Sequence, residues 1–248
     1  MIIDVNVNFG YWPFRRFQVY KINDIEKKLK ENGIKKCFIS HLGPVFNFQE
    51  VEEFNKELKN KIKNNKFFYF VPIVNPILAD AEENLEKYKI IKLLPSFHNY
   101  RLSDKKFYQF FKKLSDKKII IFLQMRYEDE RSHNPVFKIK SPEIDDIKRF
   151  TFDFPEVNVI VLSCYFTEIV QLCKISNIYS DISFAENFKT IKSLLKEISE
   201  DKLVFGSHTP FLYVESGIAK LEYSDVKKDI IEKISYKNII KIVGEELI

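Results

Sequence analysis

Eight short apolar runs separated by amphipathic segments predict an α/β chain: a (β/α)8 TIM barrel, forming a single domain over residues 1–248. Three observations lead there. The runs are near-continuous and rich in Ile, Val and Phe, as strands buried on both faces of a parallel sheet are. At 248 residues the chain has the length of one such barrel. The rival architecture, an open doubly wound sheet, carries a glycine-rich turn after its first strand. Here Gly10 is followed by Tyr11, Trp12 and Pro13, and the whole chain has only 6 glycines.

The predicted strands are 2–7, 36–41, 67–74, 90–94, 119–125, 158–163, 178–184 and 203–207. In the first, Asp4, Asn6 and Asn8 alternate with Ile3, Val5 and Val7, which predicts one polar and one apolar face. A strand this apolar belongs in a core, so its polar face is expected to line a site. The spacing predicts a helix over 24–31, with Ile25 and Leu29 one turn apart. Another is expected over 50–63, with Val51, Phe54, Leu58 and Ile62 on one stripe. Further helices are expected over 80–88, 104–114, 142–152 (Pro142 suiting a first turn), 168–173 and 186–198. The last, over 225–243, is expected to break near Tyr236.

Net charge is +5, but 40 basic residues are interleaved with 35 acidic ones, and no block is purely basic. Such mixing marks solvated helix faces, so no nucleic-acid partner is expected. Apolar stretches are too short to cross a bilayer, and Asp4 interrupts any signal-peptide pattern, so no membrane partner is expected. Cys37, Cys164 and Cys173 form neither a metal motif nor a disulfide framework, which points to a reducing cytoplasm.

In a barrel of this kind chemistry sits at the C-terminal strand ends. That rule selects Asn6, Asn8, Trp12, Arg15 and Arg16 after the first strand, His41 after the second, and Lys92, His98 and Tyr100 around the fourth. The fifth offers Gln124, Arg126, Glu128, Asp129, Arg131 and His133; the sixth Cys164 and Tyr165; the seventh Asp181; the eighth His208, with Glu215 in its loop. Lys92 lies within an apolar run and needs a partner or a role. Gln124 and Arg126 share parity with Phe122 and should face inward, with Glu128 or Asp129 neutralising Arg126. That acidic cluster could equally be a structural ion-pair hub. His41 and His98 read first as surface histidines.

Taken together, IIDVNVNFGYWPFRR, KLLPSFHNY and LVFGSHTPF resemble the amidohydrolase superfamily, in particular the branch that includes decarboxylases of aromatic and related acids, over essentially the whole chain. The resemblance implies a first strand with a metal-binding histidine pair, histidines after the fifth and sixth strands, and an aspartate ending the eighth. Asn6 and Asn8 stand in place of that pair, Gln124 at the fifth-strand histidine, Cys164 near the sixth, and His208 in place of the aspartate. Amides are poor zinc ligands, so tight binding of the family's divalent metal is expected to be absent. A weakly held ion on His208, His133 or Cys164 is the alternative. Every replacement named remains polar, which suggests a re-purposed site.

The expectation is therefore an enzyme hydrolysing or decarboxylating a small anionic substrate, with His208 as general acid–base. Lys92 and Arg126 would hold a carboxylate or oxyanion, while Asn6, Asn8, Gln124, His133 and Trp12 would contact the substrate. A metal-dependent hydrolase with an atypical site and a non-catalytic small-molecule-binding barrel are the alternatives. Barrels of this class often form homo-oligomers, and the sequence leaves the number of subunits open.

Overall fold

The computed structural model describes residues 1–19, 21–82, 85–133 and 138–247. Its strands run in parallel pairs: β1 (Ile3–Phe9), β2 (Lys36–His41), β3 (Phe68–Phe70), β4 (Ile90–Leu93), β5 (Ile120–Gln124), β6 (Val159–Leu162), β7 (Ile178–Asp181) and β8 (Leu203–Val204). The ladders fall into a three-stranded and a five-stranded sheet. Two parallel bridges join them, Ile73 with Lys92 and Val7 with Thr209. Backbone bonds reinforce both seams: Lys92 N to Pro72 O at 2.7 Å, Val74 N to Lys92 O at 3.0 Å and Asn8 N to Thr209 O at 2.8 Å. The sheet therefore closes into the expected barrel. β3 is shorter than predicted because Pro72 has no N–H to give to a ladder.

Helices α1 (Ile22–Glu31), α2 (Val51–Ile62), α3 (Tyr108–Asp116), α4 (Ile144–Asp153), α5 (Phe166–Leu172) and α6 (Thr190–Leu194) cover the outside. In α2, Glu52 and Glu53 in the first turn and Lys59 and Lys61 in the last complement the helix dipole. Predicted 80–88 is only a 3-10 turn at Leu85–Lys87, with residues 83–84 outside the described ones. Left-handed Lys189 (φ 49°) delays the start of α6. After β8 the chain forms α7 (Val214–Glu222), where a loop was expected. Gly217 obscured that helix in the sequence, and a Cβ there would lie 3.2 Å from the Phe205 ring. Left-handed Asp225 then separates α7 from α8 (Lys228–Glu232). A π-helical turn at Lys233–Lys237, the expected break near Tyr236, leads into α9 (Asn238–Val243).

Two apolar layers result. Val7, Ile39, Ile91, Ile121, Val161 and Phe205 pack outward against the helices. Ile3, Val5, Phe38, Ile90, Phe122, Leu162 and Val204 fill the inside, with Ile239 and Val243 of α9 packed against them. The pairing of β1 with β2 shifts register between Asp4 and Val7. This bulge corrects the predicted alternation: Ile3 and Val5 share the interior with Asn6 and Asn8, and only Val7 and Phe9 face the helices. The bulge lets one strand supply apolar filling below and amides above.

Candidate active site

The bulge aims Asn6 and Asn8 at the C-terminal mouth of the barrel, and both are fully buried. Asn6 Nδ2 donates to Asp181 Oδ2 at 2.7 Å and to Ser163 Oγ at 3.0 Å. Gln124 Nε2 donates to the same Ser163 Oγ at 2.9 Å and to the Arg126 carbonyl. Carboxylate and carbonyl oxygens only accept, so these contacts fix which way each amide points. Ser163 Oγ also lies 3.1 Å from His208 Nδ1, and His208 Nε2 lies 2.8 Å from the Tyr127 carbonyl. Since that carbonyl can only accept, Nε2 carries the proton, and Ser163 donates its hydroxyl hydrogen to Nδ1. One hydroxyl thus gives one hydrogen bond and receives two, its full capacity.

Asn6 and His208, separated by almost the whole sequence, therefore meet at Ser163. Both Ser163 (φ 61°) and His208 (φ 58°) are left-handed, a conformation that costs non-glycine residues about 1–3 kcal/mol each. Asp181 fastens the pair from below. Its Oδ1 accepts from Ser163 N at 2.9 Å and its Oδ2 from Ser183 Oγ at 3.0 Å. Burial raises the Asp181 carboxyl above its ordinary range, opposed by these donors. Asp4 is buried beside them, accepting from Ser207 N at 2.9 Å and Asn6 N at 3.0 Å, and burial lifts it to about 7. Burial holds the His208 imidazole down to about 3, so it is neutral at ordinary pH.

Lys92 stands apart from this saturated cluster. Its amine donates to Asn8 Oδ1 at 3.0 Å and lies 5.3 Å from the centre of the Tyr127 ring. Among the described residues it forms no ion pair, and burial lowers it to about 7 against the opposing pull of the Asp181 carboxylate. Aromatic rings close the mouth above. His208 is stacked on Phe211 at 4.8 Å and on Tyr127 at 6.0 Å, and Trp12 packs on Tyr127 at 5.5 Å. Tyr127, Phe184 and Phe211 are also the floor of a cavity of about 620 Å³ walled by Arg15, Arg131 and Tyr165, a size suited to a small ligand. Tyr127 OH and Trp12 Nε1 are buried with no hydrogen-bond partner among the described residues.

Other expected site residues are placed differently. Arg126 does face inward, but Glu168 neutralises it, through a two-pronged ion pair with contacts of 2.6 and 2.5 Å. It also donates to the Ser163 carbonyl at 2.7 Å and to Ser141 Oγ at 2.8 Å, under the Tyr165 ring. Its guanidinium braces Ser163, and the expected partner Asp129 pairs with Arg131 instead. His133 stays at the rim, 3.3 Å from the Glu128 carbonyl, with no hydrogen bond to the core cluster among the described residues. Cys164 points outward into the helix-facing layer, because left-handed Ser163 reverses the parity of β6.

His41 and His98 are buried, contrary to the surface reading. His98 Nε2 lies 2.9 Å from the Pro44 carbonyl, and His41 Nδ1 accepts from Gly43 N at 2.8 Å. Glu215 opens α7 and pairs with Lys28. Sequence reasoning missed Ser163, Tyr127 and Glu168. Only the polar type of Ser163 at a strand end could have drawn notice.

No family model matches the chain, and no curated protein sequence matches it. Solved structures do. The chain is similar to 5-carboxyvanillate decarboxylase from Sphingomonas paucimobilis, with a TM-score of 0.77 and 10% identity over 98% of each chain. A dihydroxybenzoic acid decarboxylase from a Polaromonas species, solved with manganese and the inhibitor 2-nitroresorcinol, gives a TM-score of 0.76 and 12% identity over 99% of this chain and 97% of that one. An amidohydrolase gives 0.73 and 14% identity over 99% and 100%. The chain shares the TIM-barrel fold of these solved structures, as its sequence predicted.

The residues in this chain do not suit a divalent metal such as the manganese of the Polaromonas structure. At the centre, Asn6 and Gln124 present N–H groups, which repel a cation, both His208 nitrogens are engaged, and Gln124 Oε1, the amide oxygen there without a partner among the described residues, is a poor ligand. Among the described residues no three His, Cys, Asp or Glu side chains group as a metal site would need. Ser163 Oγ is the point on which these amides and the imidazole converge. No helix among the described residues is long and apolar enough to cross a membrane.

Proposed function

We propose that this chain is an enzyme that acts on a small anionic substrate, by decarboxylation or hydrolysis, without the divalent metal that its sequence resemblance implies. The observation that carries the reading is Lys92: an amine fully buried at a strand end, held by one neutral amide, with no ion pair among the described residues and only the more distant Asp181 carboxylate to favour its charge. An unpaired buried cation is costly, and a substrate anion supplies the missing charge. In decarboxylation, carbon dioxide leaves, its bonding electrons stay on carbon, and a proton must reach that carbon. Ammonium Lys92 can give that proton and regain it from water. The Ser163–His208–Asp181 cluster holds Asn6, and Asn6 in turn accepts from Asn8 Nδ2 at 3.5 Å, fixing the seat of the amine. Neutral amides orient the substrate; a small molecule, not nucleic acid, is the partner.

The test is carbon dioxide release from a panel of small carboxylic acids, with and without chelator, by wild type and Lys92→Met. Chelator-insensitive release that falls more than about 100-fold in the variant supports the assignment, a loss typical of removing a positioned acid. Release that survives Lys92→Met at the wild-type rate refutes it. One observation favours a second reading, a non-catalytic binding barrel: the mouth is roofed by rings, and His208 has no nitrogen to spare. An acid that raises the melting temperature and is returned unchanged would establish that alternative.

A further inference from the structure

Decarboxylation leaves an electron pair on carbon, and something must accept it. Besides the Asp4 and Asp181 carboxyls and an Arg126 guanidinium already paired with Glu168, the interior groups are amides, a hydroxyl, a doubly engaged imidazole and the Lys92 amine. Hydrogen-bond donors stabilise such a pair only weakly, whereas an iminium takes it into a carbon–nitrogen bond. From this geometry we infer that Lys92 is a covalent nucleophile, forming an imine with a substrate that carries a ketone beside its carboxylate-bearing carbon, a 3-oxo acid. The inference rests on the anionic-substrate reading above and deepens it, with covalent attachment of Lys92 taking the place of direct proton transfer from its ammonium.

Three features single out this amine. One neutral acceptor, Asn8 Oδ1, holds it at 3.0 Å, and among the described residues no other hydrogen bond ties the nitrogen down. Lys202 and Lys220 are different: Lys202 donates to the carbonyls of Ile175, Ser176 and Ile178, and Lys220 to those of Ile182 and Ser183. Their amines are spent on structure. Secondly, the Tyr127 ring lies 5.3 Å from the nitrogen and gives it an apolar wall that disfavours the charged ammonium. Thirdly, burial lowers the amine to about 7, so an unprotonated fraction exists at neutral pH.

The steps balance without any further reagent. Lysine ammonium and ketone give iminium and water. The carbon–carboxylate bond breaks, its electrons move onto nitrogen to form an enamine, and carbon dioxide leaves. The enamine carbon takes one proton from solvent, and water releases the ketone and regenerates the ammonium. The net change is 3-oxo acid anion plus proton to ketone plus carbon dioxide.

The experiment incubates the whole protein with acetoacetate and borohydride, digests it, and maps reduced adducts by mass spectrometry. 3-Hydroxybutyrate, which has the carboxylate but no ketone, is the control, and thermal shifts are recorded with both acids. The expected result is an adduct on the Lys92 peptide on the order of 100-fold above solvent lysines, which are almost wholly protonated at neutral pH. It should be absent from Lys92→Met. Should that variant not fold, the position of the wild-type adduct decides alone. Stabilisation by both acids with no Lys92 adduct overturns the imine and leaves the anionic-substrate reading standing. Neither adduct nor stabilisation overturns the imine and counts against the anion reading as well.

Discussion

Ser163 and Lys92 represent two opposite solutions to burying a polar group. Ser163 is saturated: its hydroxyl reaches His208 and receives both Asn6 and Gln124, so that hydroxyl has nothing left for a ligand, and among the described residues Gln124 Oε1 is the neighbouring amide oxygen without a partner. Lys92 is under-satisfied, and that makes it the reactive position. A pH signature follows. Unfolded, the amine titrates at its ordinary 10.5; folded, at about 7. Between those values the unfolded chain binds a proton that the folded chain has released, so this group costs stability as pH falls from about 10.5 to about 7. The difference in unfolding free energy, wild type minus Lys92→Met, should therefore rise with pH across that window, by up to about 1.4 kcal/mol per pH unit. Urea unfolding of both proteins at pH 7 and 9 measures it, and a flat difference would show that the amine is not desolvated.

At the scale of elements, the site depends on places where a strand stops being regular. The bulge in β1 brings its amides inward, and the left-handed turn after β6 brings Ser163 inward at the expense of Cys164. The end of β8 needs Gly206, because a Cβ there would meet Asp181 Oδ2 at 2.5 Å. Gly206→Ala must push β8 off the carboxylate that anchors Ser163. It should cost about 1–3 kcal/mol in urea unfolding and disturb the His208 ring signals by NMR. Unchanged ring signals would mean that β8 and Asp181 are not coupled as described. The eighth unit was read with only a loop after its strand, since Gly217 weakens the helical pattern. The close approach of α7 to Phe205 explains that glycine.

Across the whole molecule the barrel divides into a dry lower half, where α9 plugs Ile239 and Val243 against the inner layer, and a polar upper half roofed by Trp12, Tyr127 and Phe211. The two halves share strands but few side-chain partners, so their energetics should separate. Ile239→Ala should cost about 2–5 kcal/mol by cavity formation, yet leave carboxylate-induced stabilisation at the mouth unchanged. A thermal-shift titration of that variant checks it, and a lost ligand response would show that the halves are coupled.

Alternating β-branched runs and amphipathic stripes were sufficient to specify eight strands, their order and most helices, because local periodicity is what these elements are made from. Parity along β5 likewise put Gln124 and Arg126 inside. The pairing of Arg126 with Glu168, the inward turn of Ser163, the flipped face of Ile3 and Val5, and the roof over His208 needed the folded chain. Each depends on a backbone irregularity or on a contact between distant segments, and neither leaves a periodic trace. Sequence alone brought Asn6, Asn8, Lys92, Gln124, Arg126 and His208 to the barrel mouth, where all six are buried; tertiary structure decided which of them have spent their hydrogen bonds on each other, because satisfaction is a property of pairs in space.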